Sequence, residues 1–171
     1  APKQPCKDFV EAVIMFVMMF RVEGGDAPGH FDQYMYDFWK VTDEKEAKKY
    51  LGYLWDYFLK LGGTMNLCIS GSDENWNDIS NDLTYAILEV TAEKAYRTPN
   101  LTMRCHRNTP DKLLRAAHKS IATGCGLPVI YNDEAVCPAL ESLGIPSDDA
   151  HRYVMNGCNQ IDIQGKSHMG L

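Results

Sequence analysis

Tyr153-Val-Met-Asn-Gly-Cys158-Asn-Gln-Ile-Asp-Ile-Gln-Gly165-Lys166 is the stretch from which the rest of the chain is best read. Residues 153–155 form a short apolar run of strand character, and Asn156-Gly157 breaks it. Glycine suits a tight turn, or a place where another group comes close to the backbone. Cys158 is thereby delivered at a strand end, into what reads as an irregular loop. Strand ends that open into loops are where α/β folds carry their chemistry. A free cysteine is also a serviceable small hydrophobe. Its role therefore turns on the company it keeps.

Composition bounds what such a loop can serve. With 171 residues, 45% hydrophobic and 11% aromatic, the chain can bury a proper core and reads as one segment, residues 1–171, with no internal boundary. A formal charge of −6 without any lysine/arginine-rich run argues against a nucleic-acid groove, which needs clustered cations for phosphates. The same balance is unsuited to an anionic membrane surface. The apolar run 10–20, with Glu11 and Arg21 at its ends, is too short to span a bilayer. The six cysteines, at 6, 68, 105, 125, 137 and 158, show no CxxC and no paired Cys/His spacing, so no structural zinc site is expected. We expect reduced thiols in a cytoplasm. The chain opens at Ala1 and stops at Leu171 just after Gly-Lys-Ser-His-Met-Gly, from which we expect a segment of a longer protein.

Periodicity orders the chain. Residues 7–22 are apolar nearly all round, predicting a helix buried on most faces. A Gly/Pro cluster ends it, and residues 31–39 predict a short aromatic-rich helix or turn. Thr42 is the expected N-cap of a helix to Leu61, with Tyr50, Leu51, Leu54, Tyr57, Phe58 and Leu61 as its apolar stripe. Strands are expected at 64–70, 101–106 and 127–131, and again into Cys158. Helices are expected at 76–95, 110–123 and 132–143, with Asn132 capping the last and Ser147 capping a short turn. Thr109-Pro110 predicts a capped helix start and Gly124 a left-handed close. Strands alternating with helices predict an α/β layered or barrel fold, and four short strands suffice for only part of a barrel.

Five stretches, in order, carry a family resemblance. Gly29-His-Phe-Asp32-Gln33-Tyr34 is similar to a G-R-x-D-Q-Y segment, and residues 73–80 to a D-x-x-N-x-x-S helix start. Arg104-Cys-His106 matches R-x-H on a strand. Gly124-Cys-Gly126-Leu-Pro128-Val-Ile-Tyr-Asn132-Asp133 matches G-x-G-x-P-x-x-x-N-D. Gly157-Cys158 with Gly165-Lys166 has the spacing of an active-cysteine loop. Together they resemble the glycyl radical enzymes, which include pyruvate formate-lyases and the glycerol, diol and choline lyases.

The resemblance implies a ten-stranded α/β barrel built from two half-barrels. At its centre a cysteine loop would meet a loop bearing a glycine radical. It implies no bound cofactor, but a protein glycyl radical outside these residues, installed by a radical SAM activase. The implied partners are a small-molecule substrate, the remainder of the barrel with the glycyl radical domain, and the activating enzyme, with room for a homodimer. Cys158 becomes the expected hydrogen-abstracting residue.

The departures matter as much. Gln160 stands where the dehydratase-like branch carries a glutamate base, and an amide takes up no proton at neutral pH. Gly157 stands where pyruvate formate-lyase has a second cysteine, and His30 where the family has arginine. Gln160 could instead hydrogen-bond substrate, and Asp162 or His168 could supply acid/base function. Arg104 with His106 could line the cavity, or Arg104 could pair with a core carboxylate. Asp32, Gln33 and Tyr34 read as architectural, His118 and His151 as solvated, and Cys105 and Cys125 as core thiols. Two further readings stay open: a non-catalytic half-barrel or scaffold, and an ordinary thiol enzyme pairing Cys158 with a histidine.

Overall fold

The computed structural model describes residues 4–24, 27–63 and 65–167. Four strands, β1 (Gly29–His30), β2 (Asn66–Ser70), β3 (Asn100–Cys105) and β4 (Val129–Asn132), pair in that order, all parallel. Side-chain alternation along them sets the layers. Leu67, Ile69, Leu101 and Met103 point into the main hydrophobic core. Asn66, Cys68, Ser70, Thr102 and Arg104 point to the opposite face, and all are buried as well. A parallel sheet is normally covered on both sides. The unusual feature is that one of the two covered faces is polar.

The apolar face is covered by helices. These are α1 (Phe9–Glu23), the single turns α2 (Phe31–Tyr34) and α3 (Tyr36–Trp39), α4 (Glu44–Leu61), α5 (Asp82–Lys94) and α6 (Asp111–Ser120). α1 packs on α4, α4 on α5 and α5 on α6. Phe16, Phe20, Phe31 and Phe58 interlock with ring centroids 5.5 to 6.2 Å apart. Burying such a ring contributes about 1.5–3 kcal/mol, so this cluster is a main anchor of the helix layer. α7 (Asp133–Ser142) and α8 (Ser147–Ala150) follow β4. Asn132 caps α7 by accepting from Glu134 N, as its side-chain chemistry predicts.

Several expectations shift. Only part of α1's apolar girth is covered: Ala12 and Val13 are buried, while Ile14, Met18, Met19 and Val22 are exposed. α4 is capped by Asp43 rather than Thr42, whose hydroxyl accepts from Phe9 N and donates to Phe38 O. The helix expected from residue 76 starts at Asp82, because Asn81 and Thr84 form a reciprocal capping box. Residues 73–80 are a turn gathered around Asp73, not a helix start. Thr109 accepts from His106 N instead of capping α6. That helix widens into a π turn, Ile121–Cys125, where Gly124 takes φ 88°. Ser147 does not cap α8; Pro146 precedes it.

The largest change concerns the C-terminal stretch. β5 (Tyr153–Asn156) does not join the parallel sheet. It pairs antiparallel with β6 (Gln160–Ile163), from Tyr153 opposite Ile163 to Asn156 opposite Gln160. The irregular loop expected around Cys158 is the tip of a hairpin, Gly157-Cys158-Asn159. Gly157 and Asn159 take φ of 48° and 74°, conformations that glycine and asparagine adopt with least strain. The hairpin lies against β1 and β2 and covers the polar face.

Candidate active site

The hairpin is fixed at its base by charge. Arg104, at the end of β3 and fully buried, donates from Nε to Asp133 Oδ1 at 2.9 Å and from Nη2 to Asp133 Oδ2 at 2.8 Å. Its Nη1 donates to the carbonyls of His151 and Tyr153 at 2.9 and 3.2 Å. The guanidinium also lies 4.1 Å from the Tyr153 ring centroid. Asp133 accepts in addition from Tyr153 Oη, Ser72 N and Ser72 Oγ. Burial works against the Asp133 charge, but the Arg104 hydrogen bonds and charge outweigh it and hold the carboxyl below its ordinary range. For Arg104, burial is likewise offset, and its pKa is raised. A Cβ on Gly71 (φ 119°) would meet this guanidinium at 2.8 Å, so only glycine lets β2 turn away there.

The tip is fixed by neutral amides. Asn159 Oδ1 accepts from Asn66 Nδ2 at 3.0 Å and Asn100 Nδ2 at 3.2 Å, with Thr102 Oγ1 3.4 Å away. The same two amides reach the Gly157 carbonyl at 3.4 Å, and Tyr131 Oη donates to the Asn159 carbonyl at 3.3 Å. Asn66 and Asn100 open β2 and β3 and are partners in register, so their amides stand side by side. Both neighbours of Cys158 are thus tied to the sheet, while Cys158 itself is exposed. The thiol carries none of the docking. It is held by the residues on either side of it.

The structure treats the remaining candidates unevenly. Gln160 is exposed at the start of β6 and Asp162 is half-buried, accepting from Asn156 Nδ2 at 3.4 Å. As residues i and i+2 of one strand, they share a face of the hairpin. His168 lies outside the described residues. Of the two alternatives for Arg104, pairing with a core carboxylate holds and cavity lining does not: its donors are engaged by Asp133, Ser72, His151 and Tyr153, so it is a buried clamp. His106 is buried beside Asp78, 3.4 Å away. His118 is exposed as expected. His151 is not solvated; it is 4% exposed, stacks edge-on to Trp76 and meets Ser72 Oγ at 3.0 Å. Since Ser72 Oγ donates to Asp133, the His151 Nδ1 must carry the proton it shares with Ser72.

Asp32 is architectural, accepting from Ser70 N and Thr84 Oγ1 while fully buried. Gln33 and Tyr34 bond backbone carbonyls of Ile79 and Pro28. His30 Nε2 sits 2.6 Å from the Ser70 carbonyl, which can only accept, so that nitrogen holds the proton. Burial, opposed by Asp32, lowers its pKa. The residues missed by sequence reasoning are Asn66, Asn100, Thr102, Tyr131 and Asn159. The available signal was Asn156-Gly-Cys-Asn159, since asparagine tolerates left-handed turns.

Two openings flank this arrangement. A cleft of about 540 Å³ lies at the base of the hairpin, lined by His30, Gln33, Ser72, His151, Arg152 and Gln164. Cys158 docks at the Asn66 end of β2, four residues from Ser70 and so roughly 13 Å along the strand from the His30 contact. A wider groove, about 960 Å³, lies among α4, α5 and α6 on the helix side and has no part in the cysteine site.

The chain matches the family described as pyruvate formate lyase-like over residues 1–170. It is 32% identical over an alignment of 190 positions, gaps included, to an isethionate sulfite-lyase of Bilophila wadsworthia, covering 94% of this chain and 23% of that protein. The solved glycerol dehydratase of Clostridium butyricum superimposes with a TM-score of 0.88 at 29% identity, covering 96% of this chain and 24% of the other. A glycyl radical enzyme from Archaeoglobus fulgidus gives a TM-score of 0.80 at 28% identity over 94% and 24% of the two chains. The sequence therefore spans about a quarter of the length of these relatives, and its four parallel strands form a portion of their α/β barrel. On the match across residues 1–170 and the superposition with solved relatives, this chain belongs to the pyruvate formate lyase-like family.

Proposed function

We propose that this chain supplies the hydrogen-abstracting thiol, Cys158, of a glycyl radical lyase or dehydratase acting on a small hydroxylated organic compound. The observation that carries this is the hairpin tip: Gly157 and Asn159 are bonded to the sheet on both sides of a thiol left uncommitted. A group that must meet a substrate carbon needs such fixed placement, because catalysis of this kind draws on orientation. The substrate class follows the relatives, named for isethionate, glycerol and 1,2-propanediol.

In the proposed reaction the Cys158 S–H hydrogen atom passes to a glycine-centred radical carried outside these residues. The sulfur radical then takes a hydrogen atom from the hydroxyl-bearing substrate carbon, re-forming S–H and leaving a carbon radical. The neighbouring C–O or C–S bond breaks with its electron pair leaving on the hydroxide or sulfite, while the hydroxyl on the radical carbon gives up its proton, so that water or bisulfite departs and a carbonyl-substituted radical remains. The thiol gives its hydrogen atom to that radical, and the sulfur recovers one from the glycine. Gln160 contributes hydrogen bonds to a hydroxyl or leaving group but accepts no proton. Asp162, on the same face of β6, and His168 remain the candidates for proton transfer. The remainder of the barrel supplies the dry enclosure, since Cys158 is exposed on these residues. An activating enzyme of the radical SAM type and an anoxic cytoplasm, in which the six free cysteines stay reduced, complete the setting.

The second reading, a scaffold without radical chemistry, draws on Gln160 standing where a proton acceptor is expected. One experiment separates them. The activated full-length protein and its Cys158→Ala variant are assayed anaerobically with isethionate, glycerol and 1,2-propanediol. Turnover by the wild type and none by the variant is expected. Equal turnover by both would falsify the assignment, and a wild type on which the activating enzyme installs no glycyl radical supports the scaffold.

A further inference from the structure

We infer that Asn159 is a positioning residue for Cys158, acting through a neutral cradle formed by Asn66, Asn100 and Thr102; this rests on the thiol role proposed above. A side-chain amide oxygen has two lone pairs, and Asn159 Oδ1 fills both, from Asn66 Nδ2 at 3.0 Å and Asn100 Nδ2 at 3.2 Å on two neighbouring strands. Asn66 Oδ1 in turn accepts from Thr102 Oγ1 at 3.0 Å, so the cradle is internally braced before the tip docks on it. Asn66 is fully buried, so a hydrophobic side chain at 159 would take from its amide nitrogen the nearest acceptor, out of reach of water.

Backbone geometry points the same way. Asn159 sits at φ 74°, where asparagine is tolerated and a β-branched or bulky apolar residue is strained. Residue type at 159 therefore decides both whether the chain reverses after Cys158 and whether the reversed tip is anchored. The cradle brings no charge to the thiol, unlike the clamp at the hairpin base. Asn159 touches no reacting atom. It fixes the point from which the Cys158 sulfur must reach a substrate carbon, and a displacement of about 1 Å there reduces rate by roughly 100-fold.

The test uses the activated full-length protein with whichever of isethionate, glycerol or 1,2-propanediol the wild type consumes. Asn159→Leu, which removes the acceptor, is expected to lower kcat about 100-fold while KM changes far less, since Gln160 is the one proposed binding group on the displaced tip. Asn159→Asp keeps an acceptor oxygen and the left-handed backbone, and should restore most of kcat. In the unactivated protein, amide hydrogen exchange at residues 157–160 should accelerate in Asn159→Leu while β2 and β3 stay protected, and revert in Asn159→Asp. Asn100→Ala, which leaves the Asn66 donor in place, should give a smaller loss of kcat, and decides the matter should the leucine variant not fold. Wild-type kcat in Asn159→Leu or, failing its folding, in Asn100→Ala overturns the inference while an inactive Cys158→Ala leaves the thiol role intact. Equal damage in the leucine and aspartate variants, with exchange rising across the whole sheet, reduces Asn159 to a structural part and also overturns it. An active Cys158→Ala removes the reading on which the inference rests.

Discussion

At its base the β5–β6 hairpin is held by a buried ion pair, Arg104 with Asp133, wrapped in hydroxyls and carbonyls; at its tip it is held by uncharged groups, the Asn66 and Asn100 amides and the Tyr131 hydroxyl. Both ends dock on the same polar face of the sheet, roughly 13 Å apart by strand rise. The difference separates two jobs. A buried ion pair is costly to desolvate but severe to break, which suits a clamp that must set which way the hairpin runs. A net of uncharged donors fixes position without imposing a field on the residue beside it, which suits the seat of a thiol that reacts as a hydrogen-atom donor.

The comparison can be broken first at the base. Asp133→Ala leaves Arg104 buried and unpaired, and should cost about 3–5 kcal/mol of stability, read as a fall in the denaturation midpoint of the full-length protein. A loss below about 1 kcal/mol would mean that the clamp is ornamental.

Acid should act on the same end. Asp133 has a folded-state pKa below its unfolded value near 3.8, so its stabilisation is complete above that value and is lost as pH falls through the lower folded one. Stability measured from pH 5 to pH 2 should therefore decline less steeply in Asp133→Asn than in the wild type. Parallel curves would contradict the assignment.

The smallest effect is expected at Gln160. Its exposed side chain should leave stability within about 0.5 kcal/mol when replaced by alanine, while kcat or KM changes if it bonds substrate. A stability loss without a kinetic change would move Gln160 from the site to the scaffold.

The layers were legible in the sequence because they follow from period. Leu67 and Ile69 alternating with Asn66, Cys68 and Ser70 mark a strand with two different faces, and Asn132 and Gly62 mark a helix start and stop by their own chemistry. The hairpin was not legible. Gln160-Ile-Asp-Ile163 alternates, but four residues with Gly165 beyond them read equally as loop, and only the register with Tyr153–Asn156 makes them a strand. Arg104 stayed undecided for a related reason. Its partner, Asp133, lies 29 positions away, and nothing local tells a buried clamp from a cavity-lining cation. Cys158 could be singled out from Gly157 and its spacing to Gly165-Lys166. The cradle beneath it could not, because Asn66, Asn100 and Asn159 meet only through the parallel register of β2 and β3.

The most direct measurement is electron paramagnetic resonance of the activated full-length protein, frozen before and shortly after anaerobic addition of the substrate it consumes. In the wild type the glycyl signal should give way in part to a substrate-derived radical. In Cys158→Ala the glycyl signal should form to the same extent and then stay unchanged when substrate is added. A substrate radical appearing in the alanine variant would contradict the account.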